Sequence, residues 1–163
     1  MIIPDKLNPD DLVVIIAPAR KAELKQLQSA EDLLISWGLK VERAPNLMLS
    51  DGIFAGTESQ RKADLQWALD HSEAKAIWCY RGGYGSIQLL EAINPALFLQ
   101  FPKWIIGFSD ITFLHCFSSI ILNTASVHAT MPINVPENTS FSLDSLNKIL
   151  LENKMNYQKP RSK

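Results

Sequence analysis

Apolar residues fall along this chain in two alternating patterns: short continuous runs, and longer stretches in which they recur every three or four positions. Leu12-Val-Val-Ile-Ile-Ala17 is a continuous run stopped by Pro18, the pattern of a strand buried on both faces. From Lys21 to Trp37 the residues Leu24, Leu27, Ala30, Leu34 and Trp37 keep helical spacing, and Gly38 stands where that helix would stop. Leu39 to Arg43 reads as a second strand. An irregular stretch, 44–56, leads to Thr57-Glu-Ser-Gln60, a capping box whose hydroxyl and amide satisfy orphan backbone donors at the start of a helix reaching about Asp70. The alternation then repeats with a strand over Ala76–Tyr80, the glycine turn Arg81-Gly-Gly-Tyr-Gly-Ser86 and a helix over Ile87–Ala92. Pro95 restarts a short helical piece and Pro102 ends it. Strand Trp104–Ile106, the turn Gly107-Phe-Ser-Asp110, a helix from Ile111 to about Leu122 and a fifth strand over Ala125–His128 complete the series.

Strands alternating with helices across short turns predict a doubly wound α/β domain. Its sheet is mostly parallel with helices on both faces, in a flavodoxin-like arrangement. The pattern changes near Met131-Pro-Ile-Asn-Val-Pro136, where two prolines bracket a segment without periodicity. The expected organisation is therefore an α/β domain over 1–132, followed over 133–163 by a linker and the start of a further region. One more amphipathic helix is marked there by Leu143, Leu146, Ile149 and Leu150.

Composition narrows the function. With 163 residues the chain suits one domain with a sizeable core. Sixteen Lys and Arg against 17 Asp and Glu leave a formal charge of −1 and no basic face for nucleic acid. The cationic cluster Lys159, Arg161 and Lys163 reads as a solvated tail. No apolar run approaches the ~20 residues of a membrane span, and the first residues lack the order of a secretory signal, so a cytoplasmic location is expected. Cys79 and Cys116 lack the spacing of a metal site and read as reduced core residues; no metal or other cofactor is implied.

Two turns carry candidate chemistry, because an open parallel sheet binds ligands outside the carboxyl ends of its strands. In the first, the glycines between Arg81 and Ser86 let backbone N–H groups approach a ligand. Nucleotide signatures fail there: a G-x-G-x-x-G run from Gly83 would need glycine where Gln88 stands, and no Gly-Lys-Ser/Thr triplet exists. An oxyanion or carboxylate ligand remains open, as does a plain tight turn. The second turn sets Ser109 between an apolar strand and an apolar helix, where a nucleophile elbow exposes its hydroxyl. Gly107 and Ser109 match G-x-S-x-G, while Ile111 occupies the last glycine's place. Ser109 or Asp110 could equally be a helix N-cap. The three histidines are poor candidates for a base to Ser109: His115 projects to another helix face, His71 ends a helix, and His128, at the end of the fifth strand, could line the same crevice without its position establishing a hydrogen bond to Ser109.

Taken together, Phe54-Ala-Gly-Thr57, Gln60-Arg-Lys-Ala-Asp-Leu65, Ala76-Ile-Trp-Cys-Tyr-Arg-Gly-Gly-Tyr-Gly-Ser86 and Gly107-Phe-Ser-Asp-Ile-Thr112 resemble the N-terminal domain of the LD-carboxypeptidases. These serine peptidases are also called muramoyltetrapeptide carboxypeptidases. The likeness runs from about residue 10 to 132, in order. It implies that Ser109 is the nucleophile and that N–H groups of Gly82, Gly83 and Asp110 form the oxyanion hole. Arg81 would either bind the substrate carboxylate or support the turn from behind. It further implies cleavage of a terminal D-alanine from cytoplasmic muropeptides in cell-wall recycling, no cofactor, and a homodimer. A related branch hydrolyses an aminoacyl-nucleotide antibiotic. The chain departs from the family in carrying Ala19 where a small hydroxyl residue is usual, and His128-Ala-Thr-Met-Pro132 where His-Gly-Pro-Met is common.

The family's catalytic Glu and His lie in a C-terminal domain, so neither is placed in this sequence, and the expectation is a truncated enzyme that lacks its general base. The alternative is a non-catalytic peptide-binding or assembly module, whose mark would be an unpaired apolar patch. A nucleotide-binding flavodoxin-like domain is disfavoured by the failed glycine spacings.

Overall fold

A computed structural model of the chain describes residues 1–154. The expected strand at Leu12 forms as β1 (Leu12–Ile16), and Val13 to Ile16 are wholly buried, as a run covered on both faces must be. It is joined by β2 (Lys40–Arg43), β3 (Ala74–Cys79), β4 (Trp104–Gly107) and β5 (Val127–His128) in the order β2-β1-β3-β4-β5. All four pairings are parallel. Right-handed crossovers on this order place the β1–β2 connection on one face and the connections from β2 through β5, which run the opposite way, on the other, which is the doubly wound arrangement.

The connecting helices are α1 (Leu24–Ser36), α2 (Glu58–Asp70), α3 (Ala96–Gln100) and α4 (Thr112–Ile120). At the head of α2 the capping box forms as expected: Thr57 Oγ1 accepts from the Gln60 N–H at 3.3 Å and Gln60 Oε1 accepts from the Thr57 N–H at 2.9 Å. Two details stand out, and the second changes an expectation. The helix expected over Ile87–Ala92 forms over Ser86–Ala92, as a 3₁₀ helix. Only eight residues stand between Gly85 and the Asn94-Pro95 step, which disfavours helical backbone, and short 3₁₀ winding suits so brief a segment. Cys79 is buried at the end of β3, but Cys116 is exposed. On α4 the buried face runs through Leu114 and Ser118, four residues apart, so Cys116 between them points to solvent.

Beyond β5 a 3₁₀ segment (Pro132–Glu137) packs against α1, and the Ile133 N–H donates to the Tyr80 carbonyl at 3.2 Å. Helix α5 (Ser140–Glu152) buries Leu146 and Leu150. The Lys159, Arg161 and Lys163 cluster lies outside the described residues. Among the described residues no helix is long and apolar enough to cross a membrane.

Lys103, just before β4, is wholly buried. Its ammonium donates to the carbonyls of Ala68, Leu69 and His71, so it caps the carboxyl end of α2 where the helix dipole favours a cation. Burial lowers its pKa from 10.5 to about 8, against the opposing pull of Asp70. Between those two values the unfolded chain binds more protons than the folded one, so stability contributed through Lys103 is lowest below pH 8 and rises toward pH 10.5. Urea unfolding from pH 7.5 to 10 should show the native chain gaining stability relative to Lys103→Met across that window. A difference that stays flat with pH contradicts the assignment.

Candidate active site

The two candidate turns lie side by side at the carboxyl ends of β3 and β4. Four described non-glycine residues have positive φ: Asp10, Ser109, Asn123 and Asn153. Asp and Asn visit the left-handed region readily, which leaves Ser109 at φ 63° as the one whose conformation its side chain does not explain. Such strain costs on the order of 1–3 kcal/mol and persists only where the surroundings impose it. Phe108 before it is extended, and a single 3₁₀ turn (Ser109–Ile111) follows before α4. The result is a sharp strand-to-helix elbow with Ser109 exposed at its tip.

The glycine turn packs directly onto this elbow. A Cβ built on Gly82 would lie 3.1 Å from the Asp110 nitrogen and 3.3 Å from Ser109 Cβ, so any larger residue would push the two turns apart. Two hydrogen bonds then lock them: the Ser86 N–H donates to Asp110 Oδ2 at 3.0 Å, and Ser86 Oγ donates to the Asp110 carbonyl at 2.7 Å. Ser86 is wholly buried at this junction. Its side chain was not singled out by the sequence, because its partner lies 24 positions away. Among the described residues, the backbone N–H groups of Gly82, Gly83 and Asp110 donate to no protein acceptor.

Arg81, Gly82, Gly83, Phe108, Ser109 and Asn134 line a shallow crevice of about 230 Å³. It adjoins a second depression of about 420 Å³ that shares Phe108 and Asn134 and includes His128. A larger depression of about 890 Å³ lies where β1 and β2 begin, lined by Asp10, Leu12 and Lys40 among others. It is at the wrong end of a parallel sheet to meet these turns.

No described side chain hydrogen-bonds to the Ser109 hydroxyl. His115 is fully engaged elsewhere: its Nε2 pairs with the Gly107 carbonyl and its Nδ1 with Ser126 Oγ, each at 2.9 Å. A carbonyl only accepts, so Nε2 carries the proton and Nδ1 accepts from the Ser126 hydroxyl. Burial pulls the His115 pKa below the ordinary imidazole value, opposed by the bond to Gly107 and assisted by His128. His128 is exposed with its ring 5.9 Å from Phe108. His71 ends α2. Among the described residues no three or more His, Cys, Asp or Glu side chains gather to hold a metal ion.

An α/β domain with a strained serine elbow clasped to a glycine turn defines a class of hydrolase-like scaffold. The model of the LD-carboxypeptidase N-terminal domain matches residues 13–129, and the chain belongs to that family. It is 38% identical over 124 residues to the probable murein peptide carboxypeptidase of Bacillus subtilis, covering 76% of this chain and 38% of that protein. With the murein tetrapeptide carboxypeptidase of Pseudomonas aeruginosa it shares 33% identity over 138 residues, 84% of this chain and 43% of the relative. Among solved structures, the microcin C7 self-immunity protein MccF, in complex with aspartyl sulfamoyl adenosine, superposes with a TM-score of 0.88 at 19% identity. That superposition covers 98% of this chain and 51% of MccF, and at this identity it shows the shared fold. The chain thus spans about half or less of the length of these proteins.

Proposed function

We propose that this chain carries the nucleophile and oxyanion hole of a serine LD-carboxypeptidase that removes terminal D-alanine from cytoplasmic muropeptides during cell-wall recycling. The observation that carries the reading is Ser109, exposed in left-handed backbone and clasped beside three backbone N–H groups that have no acceptor among the described residues. In this reading the Ser109 hydroxyl attacks the carbonyl carbon before D-alanine. The N–H groups of Gly82, Gly83 and Asp110 then stabilise the oxygen as it becomes negative. Arg81, half-buried along the crevice and without an ion pair among the described residues, attracts the carboxylate of the leaving D-alanine. The base comes from residues beyond the matched segment. A homodimer belongs to the same reading. The murein carboxypeptidases, at 38% and 33% identity, support this substrate class over the aminoacyl-nucleotide one, for which the fold likeness to MccF is the support.

Reaction with a fluorophosphonate tests the nucleophile without requiring turnover. Intact-mass and peptide mapping should find one phosphonyl group on Ser109 after prolonged incubation, and none in Ser109→Ala. Equal labelling of the two proteins would remove Ser109 from the chemistry.

A further inference from the structure

Within Gln60-Arg-Lys-Ala-Asp-Leu65, Gln60 closes the capping box and Asp64 accepts from the Asn46 backbone and side chain, but Arg61 is unaccounted for by either role. It is only 3% exposed, and among the described residues it forms no ion pair. A guanidinium at that depth is ordinarily matched by a carboxylate. Arg61 instead reaches two backbone carbonyls: its Nη1 donates to Pro18 O at 2.8 Å and to Gly85 O at 3.2 Å. Its Nη2 donates to Gln88 Oε1 at 3.2 Å, and its Cζ stacks 4.8 Å from the centre of the Phe54 ring. Its Nε is buried without a partner among the described residues. Burial lowers its pKa, opposed by the charges of Glu58, Asp110 and Asp51.

These contacts share one object. Pro18 follows the carboxyl end of β1, while Gly85 closes the glycine turn that leaves β3, so a single planar cation ties the loop after one strand to the turn after its neighbour. Gly85 is fitted to that cation. It adopts φ 119°, and a Cβ there would lie 2.8 Å from Arg61 Nη1. The start of the turn is fixed by β3 and its end by Arg61 at Gly85 together with the Ser86–Asp110 bonds, with Gly82 and Gly83 held between them.

We propose that Arg61 is a positioning residue for the glycine turn. By holding the Gly85 carbonyl against that of Pro18, it sets the direction of the Gly82 and Gly83 N–H groups and so the place where negative charge on a tetrahedral Ser109 adduct is held. The proposal rests on Ser109 as nucleophile. A neutral side chain of similar volume would fill the same space without a buried charge, but it would lack the rigid fork of donors that spans two carbonyls at once.

The test is the kinetics of fluorophosphonate labelling, separated into the inactivation rate constant and the affinity for the reagent. Arg61→Met is expected to lower the rate constant by about 10- to 100-fold, short of the 10²–10³ lost when an oxyanion donor is removed outright. Reagent affinity should stay within about twofold, since the surface that first meets the reagent is intact. Arg61→Lys should recover part of the rate. A general loss of structure would lower both constants together, and thermal unfolding identifies that case. Should Arg61→Met fail to fold, Gln88→Leu, which keeps the cation and removes its lateral anchor, should show a smaller loss in the same constant. An unchanged rate constant in whichever of these variants folds overturns the role of Arg61 and leaves Ser109 as nucleophile standing. Absence of Ser109 labelling both in this chain and in the chain joined to the segment its murein carboxypeptidase relatives carry beyond the match overturns the nucleophile, and the positioning role with it.

Discussion

Incubated with L-alanyl-γ-glutamyl-diaminopimelyl-D-alanine, the purified chain is expected to release D-alanine at or below detection. A serine hydroxyl is a weak nucleophile at neutral pH and needs a base within about 2.6–3.2 Å, and no described side chain hydrogen-bonds to Ser109. His115 sits on the neighbouring helix, but both its ring nitrogens are engaged, by Gly107 and Ser126. Becoming a base would require it to break the Ser126 bond and turn, while burial holds it neutral. Oxyanion donors and binding alone leave a residual acceleration of roughly 10³–10⁴ over water in proteases stripped of their triad. Against the slowness of uncatalysed amide hydrolysis, that falls below ordinary assays. Joining to this chain the segment that its murein carboxypeptidase relatives carry beyond the match should bring D-alanine release into range. The restored activity should disappear on Ser109→Ala. An aminoacyl sulfamoyl nucleotide offered in parallel separates the two substrate classes. Brisk D-alanine release by the 163-residue chain itself, lost on Ser109→Ala, would reassign the base to His115 or His128.

Trp78→Ala is the second large effect, this time on stability. Trp78 stands one residue before the end of β3, the central strand of the sheet, and is 1% exposed. Its indole N–H donates to the Thr130 carbonyl at 2.8 Å, tying the sheet to the segment after β5. Replacing a buried Trp by Ala costs about 3–5 kcal/mol through lost transfer energy and the cavity left behind. The orphaned Thr130 carbonyl adds about 1–3 kcal/mol where water cannot reach it. Domains of this size are stable by only about 5–15 kcal/mol, so the variant should be largely unfolded at modest denaturant concentrations. Urea titration followed by far-UV circular dichroism measures this. Trp78→Phe keeps most of the volume and isolates the hydrogen bond, and a loss below about 1 kcal/mol for Trp78→Ala would mean that the site collapses or hydrates without strain.

How much of this was legible beforehand depends on how local each cause is. The β1 run, the Thr57–Gln60 box and the helix from Leu24 are set by neighbouring residues, and they form within one to three positions of where their spacing puts them. A helix over Ile87–Ala92 is legible in the sequence, but its 3₁₀ winding is not, because the apolar spacing suits either form. What decides it is the short distance to Pro95 together with the Asp110 carboxylate that binds the Ser86 N–H. Resemblance drew attention to Ser109 and the glycine turn, but their contact, and the strain at Ser109, depend on β3 and β4 lying next to each other. Arg61 and Lys103 were invisible as buried cations, since a lone charge in a helix or loop reads as surface until the carbonyls it serves are brought in from distant segments.

The Ser86–Asp110 clasp has a consequence for how such a site is put together. Two hydrogen bonds across the gap between neighbouring strands make the serine elbow and the amide-bearing turn one mechanical piece, already aligned in the isolated domain. On the proposed reading, an incoming segment then has no alignment to perform: it has only to present a proton acceptor at the open side of the crevice. Evolution could exchange that segment, and with it the choice of substrate, while the clasped half stayed the same.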